Sequence, residues 1–384
     1  MENNEYLPID EEGMESEEDL GRQESSVYSK AVIWGTDWTS ETIVNQLKKK
    51  NIDLNPDFQR RDAWDQSKKS KFIESLILGL PVPPIILAER KDKKNSFLVI
   101  DGKQRLLSIM QFCAKEEEPE FIHLYLKNLE ILTDLNGLNY SKMIANQDLT
   151  DLINQFDNQT IRTVVIRNWP NEKFLYTVFL RLNTGSLKLS PQELRQALHP
   201  GEFLSHISKY AENDNPVWKV IRLTKPDSRM RDIELILRYF AFKNFLEKYK
   251  NSLKDFMDYT CNTINLDWTL NSQKYIDQLN ELENAITFTT KIFGEKNRFT
   301  KYIRGEYSSI FNRTIFDIMV YHFSNMELRN QLTGKEDNIK LLFEKLMTGN
   351  QKFIISVSGS TKDGDKTSAR FKIFGEAIKT IAEG

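Results

Sequence analysis

The sequence predicts an α+β fold, in which a mixed α/β N-terminal domain is followed by a helical C-terminal domain. Short apolar runs separated by turn signals extend from Val32 to about Arg167, a pattern typical of interleaved strands and helices. After Trp169 the apolar positions recur at helical spacing instead. We therefore predict a disordered acidic tail at residues 1–27, a mixed domain at 28–185 and a helical domain at 186–384.

Composition places the chain among globular proteins, because 384 residues of which 40% are hydrophobic suffice for one large or two ordinary domains. No run approaches the roughly 18 apolar residues of a spanning helix, and the acidic N-terminus differs from a secretory signal. We expect a cytoplasmic protein without a membrane partner. The two cysteines, Cys113 and Cys261, have no CxxC spacing and are expected to be buried small hydrophobes.

The net charge of −2 conceals an uneven distribution. Residues 1–24 hold ten Asp or Glu and one basic residue, Arg22, so the rest of the chain has 52 basic and 45 acidic residues. A basic body beneath an acidic tail can bind polyanions. The alternative, favoured because the excess is mild, is a tail that only keeps the protein soluble. Charge alone does not predict nucleic-acid binding.

The mixed domain contains one well-marked helix. Asp65 can cap it, its apolar positions run from 72 to 80, and Gly79 and Pro81 end it. Three lysines are expected on its solvated face: Lys68, Lys69 and Lys71. The strand candidates are residues 84–88, 97–100, 122–126 and 161–166, of which the first two are joined by a charged turn and predict a hairpin or neighbouring strands.

The helical region begins with apolar positions between 174 and 182, where Asn183 and Gly185 offer a left-handed stop. Ser190 then starts the next helix as its cap, and Glu193 completes a capping box. The segment 233–246 is apolar around most of its circumference, which predicts a buried helix. Further amphipathic stretches lie at 272–294, 308–325, 336–347 and 366–383.

The feature most informative for function is a strand that ends in Asp101 and Gly102 and is followed at once by an amphipathic helix. The first backbone N–H groups of such a helix are unpaired and its positive dipole end is exposed, which favours a bound phosphate. Lys103 and Arg105 add positive charge beside it. Asp101 can hold Mg²⁺ or orient a water, and Gln104 can position that water.

On physical grounds alone, an alternative is a tight turn followed by an ordinary helix with exposed charges. The chain contains no GxxxxGK[ST], GxGxxG or HExxH string, so the common P-loop mechanism is excluded as far as sequence can exclude it. The 101–105 segment by itself therefore does not establish a phosphate site.

Five ordered strings together resemble one family. Residues 55–64 resemble its "PdFQR…W" opening, 73–84 its "IeSillgiPiPp" block, 101–105 its DGQQR motif, 179–195 its "FeRlNtGg..Ls.qElR" block, and 231–238 the helix that follows. This is the ParB-like DGQQR-motif family, formerly domain of unknown function 262. It is found in the N-terminal part of GmrSD-type modification-dependent restriction enzymes and in related phage-defence proteins. The agreement in order and spacing covers roughly residues 34–250.

The resemblance implies a ParB/sulfiredoxin-like α/β core that binds, and often hydrolyses, a nucleoside triphosphate (GTP, ATP or CTP) with Mg²⁺. The implied catalytic residues are Asp101, which is also the metal ligand, and Gln104. The implied nucleotide-binding residues are Gln59, Arg60, Gly102, Lys103, Arg105, Arg181 and Asn183. Local alternatives stay open for several of them. Arg60 can belong to a solvated arginine pair, and Asn183 can serve only to end a helix.

Glu74 has two interpretations. It sits one step from the core face of its helix and can be a surface carboxylate, or, as a residue that matches the family, it can orient Arg60 or Arg105.

Two departures from the family pattern matter. Lys103 stands where the family usually has Gln, which bears on hydrolysis more than on phosphate binding. The four histidines form no His-Asn-His cluster, so an HNH nuclease would have to be a separate chain. We expect an NTP-binding defence protein that can pair with a nuclease subunit or DNA and can oligomerise. The alternative is a non-catalytic DNA-binding adaptor with the same fold.

Overall fold

A computed structural model describes residues 30–52, 54, 63–115, 122–182, 190–358 and 363–384. The predicted tail at 1–27 lies outside these residues. Within them the chain forms two compact units, one ending at Leu198 and the other running from His199 to Gly384. No helix in the described ranges combines the length and apolar character needed to cross a membrane.

The first unit is built on a four-stranded sheet. Its strands are β1 (Val32–Thr39), β2 (Ile85–Glu89), β3 (Phe97–Asp101) and β4 (Thr160–Arg167). They lie in the order β1-β4-β2-β3; β2 and β4 are parallel and the other two pairs are antiparallel. The helices are α1 (Ser40–Lys48), α2 (Gln66–Ile77), α3 (Lys103–Cys113), α4 (Tyr140–Ile144), α5 (Thr150–Asn158), α6 (Glu172–Leu182) and α7 (Pro191–Leu198). This mixed sheet confirms the α+β class, while the ParB/sulfiredoxin-like topology stays a prediction.

The α2 helix begins and ends as the sequence predicts. The Asp65 carboxylate accepts the Lys68 N–H at 2.7 Å, and Gly79 takes a positive φ of 69° after the last turn. One part of the expectation is wrong. Lys69 is buried rather than solvated, because its ammonium donates to the Gln111 amide oxygen at 2.7 Å.

Three of the four strand predictions are confirmed, including the β2–β3 hairpin. Residues 122–126 are not a strand. Their backbone N–H groups are used elsewhere: Leu124 donates to the Gln111 carbonyl at 2.9 Å and Leu126 to the Leu138 carbonyl at 2.8 Å. Since these acceptors belong to a helix and a loop, the apolar run has no neighbouring strand to pair with.

The core beneath α3 fixes where that helix begins. Leu106, Leu107 and Phe112 are fully buried, and the Phe112 ring lies edge-on to Phe156 with centroids 5.3 Å apart. Aromatic pairs in this geometry stabilise a core beyond the area they bury. Because the inner side of α3 is anchored in this way, its first turn is held at the end of β3.

Over the residues that the structure describes, the second unit is helical apart from one hairpin. Its helices are α8 (Glu202–Tyr210), α9 (Pro216–Val220), α10 (Arg231–Phe245), α11 (Leu253–Asn297), α12 (Arg313–Phe323), α13 (Met326–Leu332), α14 (Glu336–Gly349), α15 (Gln351–Val357) and α16 (Gly364–Glu383). The hairpin strands are β5 (Thr300–Ile303) and β6 (Glu306–Phe311). The prediction of a buried helix at 233–246 is confirmed by α10. The predicted helix at 308–325 starts too early, because residues 308–311 belong to β6.

A charged pair lies in the interior of this unit. Arg238 of α10 and Asp317 of α12 are both fully buried, and the Arg238 Nε donates to Asp317 Oδ1 at 3.0 Å. Removal of either partner would break a buried charge-assisted contact. Cys113 and Cys261 are buried free thiols, as expected.

Candidate functional site

The junction between β3 and α3 has a geometry that requires glycine. Gly102 takes a φ of 99°, a left-handed conformation that L side chains rarely adopt. A Cβ placed there would lie 3.1 Å from Ile85 Cγ1 and 3.3 Å from Ile85 Cα. Gly102 also provides no side chain to cap the first turn of α3. The chain therefore passes from strand to helix in one residue, and the N-terminus of α3 has no side-chain cap.

Asp101 and Arg105 lie on either side of that glycine and contact each other. The Arg105 guanidinium donates to Asp101 Oδ2 at 2.8 Å and to the Pro84 carbonyl at 2.9 Å, both through the same nitrogen. The Arg105 side chain is 12% exposed, and its Nε is buried with no hydrogen-bond partner among the described residues. A fixed guanidinium with an unused donor thus stands beside the first turn of α3.

The Gln104 side chain was predicted to position a water, but it contacts protein backbone instead. Its amide oxygen accepts the backbone N–H groups of Ala63 at 3.3 Å and Trp64 at 3.1 Å. The Gln104 side chain therefore holds the chain just before α2 against the start of α3. Its predicted catalytic role stays a prediction.

Lys103 also contacts protein rather than standing open at the junction. Its ammonium lies 2.7 Å from Glu193 Oε1 of α7, and the two side chains are only 6% and 4% exposed. The capping box predicted at Glu193 is confirmed: the Ser190 N–H donates to Glu193 Oε2 at 2.6 Å, and the Glu193 N–H to Ser190 Oγ at 3.1 Å. The ion pair with Lys103 was not predicted, because a capping box is a local pattern and the pair spans 90 residues.

The remaining predicted site residues lie at the edge of the described chain or beyond it. Gln59, Arg60 and Asn183 lie outside the described residues. Arg181 lies in the last turn of α6 with an exposed side chain. The structure thus brings Asp101, Gly102 and Arg105 together at one point. The side chains of Lys103 and Gln104 contact neighbouring segments instead.

Glu74 is not the surface carboxylate that one interpretation of the sequence allowed. It is 5% exposed, and its Oε1 accepts the backbone N–H groups of Ile131 at 2.9 Å and Leu132 at 2.7 Å. Charge-assisted bonds to backbone donors of this kind hold a loop firmly. The carboxylate thus orders the 130–132 loop, and no hydrogen bond links it to Arg105 in the described chain. A contact with Arg60 stays a prediction, because Arg60 lies outside the described residues.

Asp101 fits a Mg²⁺ ion only as one ligand among several. One of its oxygens is engaged by Arg105, which leaves Oδ1, and the side chain is 37% exposed. Asp101 belongs to no group of three potential metal ligands among the described residues. Mg²⁺ is commonly bound by one or two carboxylates together with substrate phosphates and water, and a single carboxylate suits that mode.

The mixed sheet and its junction define an α+β protein with a strand–glycine–helix turn that carries a fixed arginine. Residues 41–200 match a family described as GmrSD restriction endonuclease, N-terminal domain. This confirms the resemblance over that range, which includes four of the five matched strings and the whole β3–α3 junction. The family points to a role in a restriction or defence system. No curated protein and no solved structure matches the chain.

Proposed function

We propose that the unit ending at Leu198 binds a nucleoside triphosphate at the N-terminus of α3 and that this binding serves a restriction or phage-defence system. The observation that carries the proposal is the Arg105 guanidinium. It is fixed by Asp101 and Pro84 beside an uncapped helix start, and its Nε donor has no partner among the described residues.

The physical support comes from three groups that act on the same anion. The first-turn N–H groups of α3 and the helix dipole favour negative charge at this end. The turn at Gly102 brings Arg105 Nη2 to within 3.2 Å of the place where a Cβ would stand, so the guanidinium lies at the start of the helix. Arg105 already lies within the turn and would offer its remaining donors to a phosphate oxygen at little entropic cost.

Turnover is the part of the proposal that depends on Asp101. Its free Oδ1 is the atom available to a Mg²⁺ ion that is bound mainly by the nucleotide, and such an ion would neutralise phosphate charge when present. Asp101 also keeps Arg105 in place through Oδ2. The same carboxylate would therefore orient the arginine with one oxygen and contribute to turnover with the other.

The test is a melting-temperature screen of the full chain with GTP, ATP and CTP, each with and without Mg²⁺. A ligand at about 100 times its dissociation constant stabilises the folded state by about 2.7 kcal/mol. We expect at least one nucleotide to raise the melting temperature by several degrees, and Arg105→Ala to abolish that rise. Arg162→Ala is the matched control, because Arg162 forms an exposed surface pair with Asp37 at 3.2 Å. If no nucleotide changes the melting temperature of the chain, the proposal is excluded.

DNA binding without catalysis is the second prediction, and the basic body beneath the acidic tail motivates it. Of the α2 lysines, Lys68 and Lys71 are exposed, and Lys71 is paired with Glu130, whereas Lys69 is buried on Gln111. DNA binding that is salt-dependent and unaffected by Arg105→Ala would favour this alternative.

A partner nuclease subunit and self-association also stay predictions. Co-purification tests the first and light scattering tests the second.

A further inference from the structure

The Lys103 side chain is buried in a position that does not suit a phosphate ligand. The residue is the first of α3, directly after Gly102, where the sequence pattern predicts a cation that faces the anion. Its ammonium instead donates to Glu193 Oε1 at 2.7 Å, with 6% of the side chain exposed. The bond to Glu193 uses one of the three ammonium donors, and the burial of both side chains is what keeps the others from an incoming phosphate. A buried carboxylate oxygen left without a donor is unfavourable, so the ammonium stays on Glu193.

Glu193 joins two helix starts through its two oxygens. Oε1 accepts from Lys103 at the beginning of α3, and Oε2 accepts the Ser190 N–H at 2.6 Å just before α7. The Ser190 hydroxyl in turn accepts the Glu193 N–H at 3.1 Å. Because each group is held by at least one further bond, movement of the α3 N-terminus relative to α7 would break charge-assisted bonds.

We propose that Lys103 is a positioning residue of the nucleotide site and makes no direct contact with the phosphate. Its ion pair with Glu193 holds the first turn of α3 against the start of α7, so that the backbone donors after Gly102 and the Arg105 guanidinium keep a fixed arrangement. The inference rests on the proposed nucleotide function and deepens it. It also accounts for the departure from the family motif, because Gln at this position can donate to the same carboxylate without carrying charge.

Two substitutions at the same position separate positioning from direct contact. Lys103→Gln removes the positive charge and keeps a donor for Glu193, whereas Lys103→Met removes both. The dissociation constant of the nucleotide that most stabilises the wild-type chain is measured for the wild type and both variants, at a temperature where all are folded. Positioning predicts that the dissociation constant of Lys103→Gln stays within about threefold of the wild-type value. It predicts that the dissociation constant of Lys103→Met rises about tenfold or more, a change of about 1.4 kcal/mol. Direct phosphate contact predicts similar losses in both variants, and that result overturns the inference.

Glu193→Gln is the complementary variant, because Gln still serves in a capping box. With its one oxygen in the capping box, the amide nitrogen of the introduced glutamine faces the Lys103 ammonium, and both groups are donors. The tie to Lys103 is then lost, so positioning predicts weaker nucleotide binding. Unchanged or tighter binding would mean that the released ammonium helps to hold the phosphate, and it would also overturn the inference. The Arg105→Ala variant distinguishes failure of the inference on Lys103 from failure of the proposed nucleotide binding. If the wild type binds nucleotide and Arg105→Ala does not, the proposed function stands whatever the Lys103 variants show. If the wild type binds no nucleotide, both fail.

Discussion

Arg105 and Asp101, four residues apart on either side of Gly102, form an ion pair with a nitrogen–oxygen distance of 2.8 Å. The pair is partly shielded, since Arg105 is 12% and Asp101 37% exposed. Its orientation leaves Arg105 Nε without a partner in the described chain and leaves Asp101 Oδ1 outside the pair. The two functions proposed for the junction, phosphate binding and metal binding, therefore fall on different atoms of one ion pair.

Asp101→Asn should separate these two functions. An asparagine oxygen can still accept from Arg105, so the arginine stays in place, while the negative charge that attracts Mg²⁺ is lost. We expect nucleotide to raise the melting temperature of the variant without Mg²⁺ at least as much as that of the wild type. The additional effect of Mg²⁺ should disappear, together with any NTP hydrolysis. If Mg²⁺ still enhanced binding in Asp101→Asn, the metal would be held by other groups.

Gly102→Ala should destabilise the chain and abolish nucleotide binding together. The left-handed φ costs about 1 kcal/mol for alanine, and the Ile85 atoms at 3.1 and 3.3 Å add a steric term. Gly137→Ala is the matched control, because Gly137 lies in the same unit with a φ of 86° and an alanine Cβ there would meet no atom within 4 Å. The variant at 102 should unfold at lower denaturant than the variant at 137. Equal stability of the two would show that Ile85 moves freely aside.

The sequence predicted those parts of the site that depend on local backbone physics. The strand that ends at Asp101, the glycine turn and the helix after it follow from apolar runs and the Asp-Gly pair. Asp65 and Ser190 were identifiable as caps for the same reason, since a cap acts within four residues.

Contacts between distant segments could not be predicted in this way. The Lys103–Glu193 pair spans 90 residues, and Glu74 holds backbone groups more than 50 residues away. Both side chains were expected at the site or the surface because charged residues usually face water. The β5–β6 hairpin was not predicted, since Arg304 and Gly305, with φ of 53° and 87°, make a turn without the usual Asn-Gly signal.

Gln104→Ala should loosen the chain before α2. The substitution removes the acceptor of the Ala63 and Trp64 N–H groups, and each hydrogen bond lost is worth about 1 kcal/mol. Hydrogen–deuterium exchange of a peptide that covers residues 63–66 should accelerate, while a peptide from α5 stays unchanged. Gln104→Glu keeps an acceptor oxygen and should retain slow exchange at Ala63 and Trp64. Fast exchange in Gln104→Glu as well would show that the amide acts through its nitrogen.

The second unit should lose stability in mild acid through His322. Burial lowers the pKa of this imidazole to about 4, from 6.5, although its Nε2 lies 2.9 Å from the Phe371 carbonyl. The unfolded chain binds a proton near pH 6.5, whereas the folded chain resists protonation until about pH 4. The free energy of unfolding contributed by this group is therefore intact above pH 6.5 and falls as the pH drops towards 4, by roughly 3 kcal/mol in all.

His322→Gln is the variant that isolates this effect, because Gln offers a donor for the Phe371 carbonyl and does not titrate. Denaturant unfolding of the wild type and the variant is compared at several pH values between 7 and 4. Carboxylates titrate in both proteins, so their contribution cancels in the difference between the two. We expect the wild type to exceed the variant in stability by a margin that shrinks steadily below pH 6.5. A margin that is constant over the whole range would show that His322 takes up its proton in the folded chain as readily as in the unfolded one.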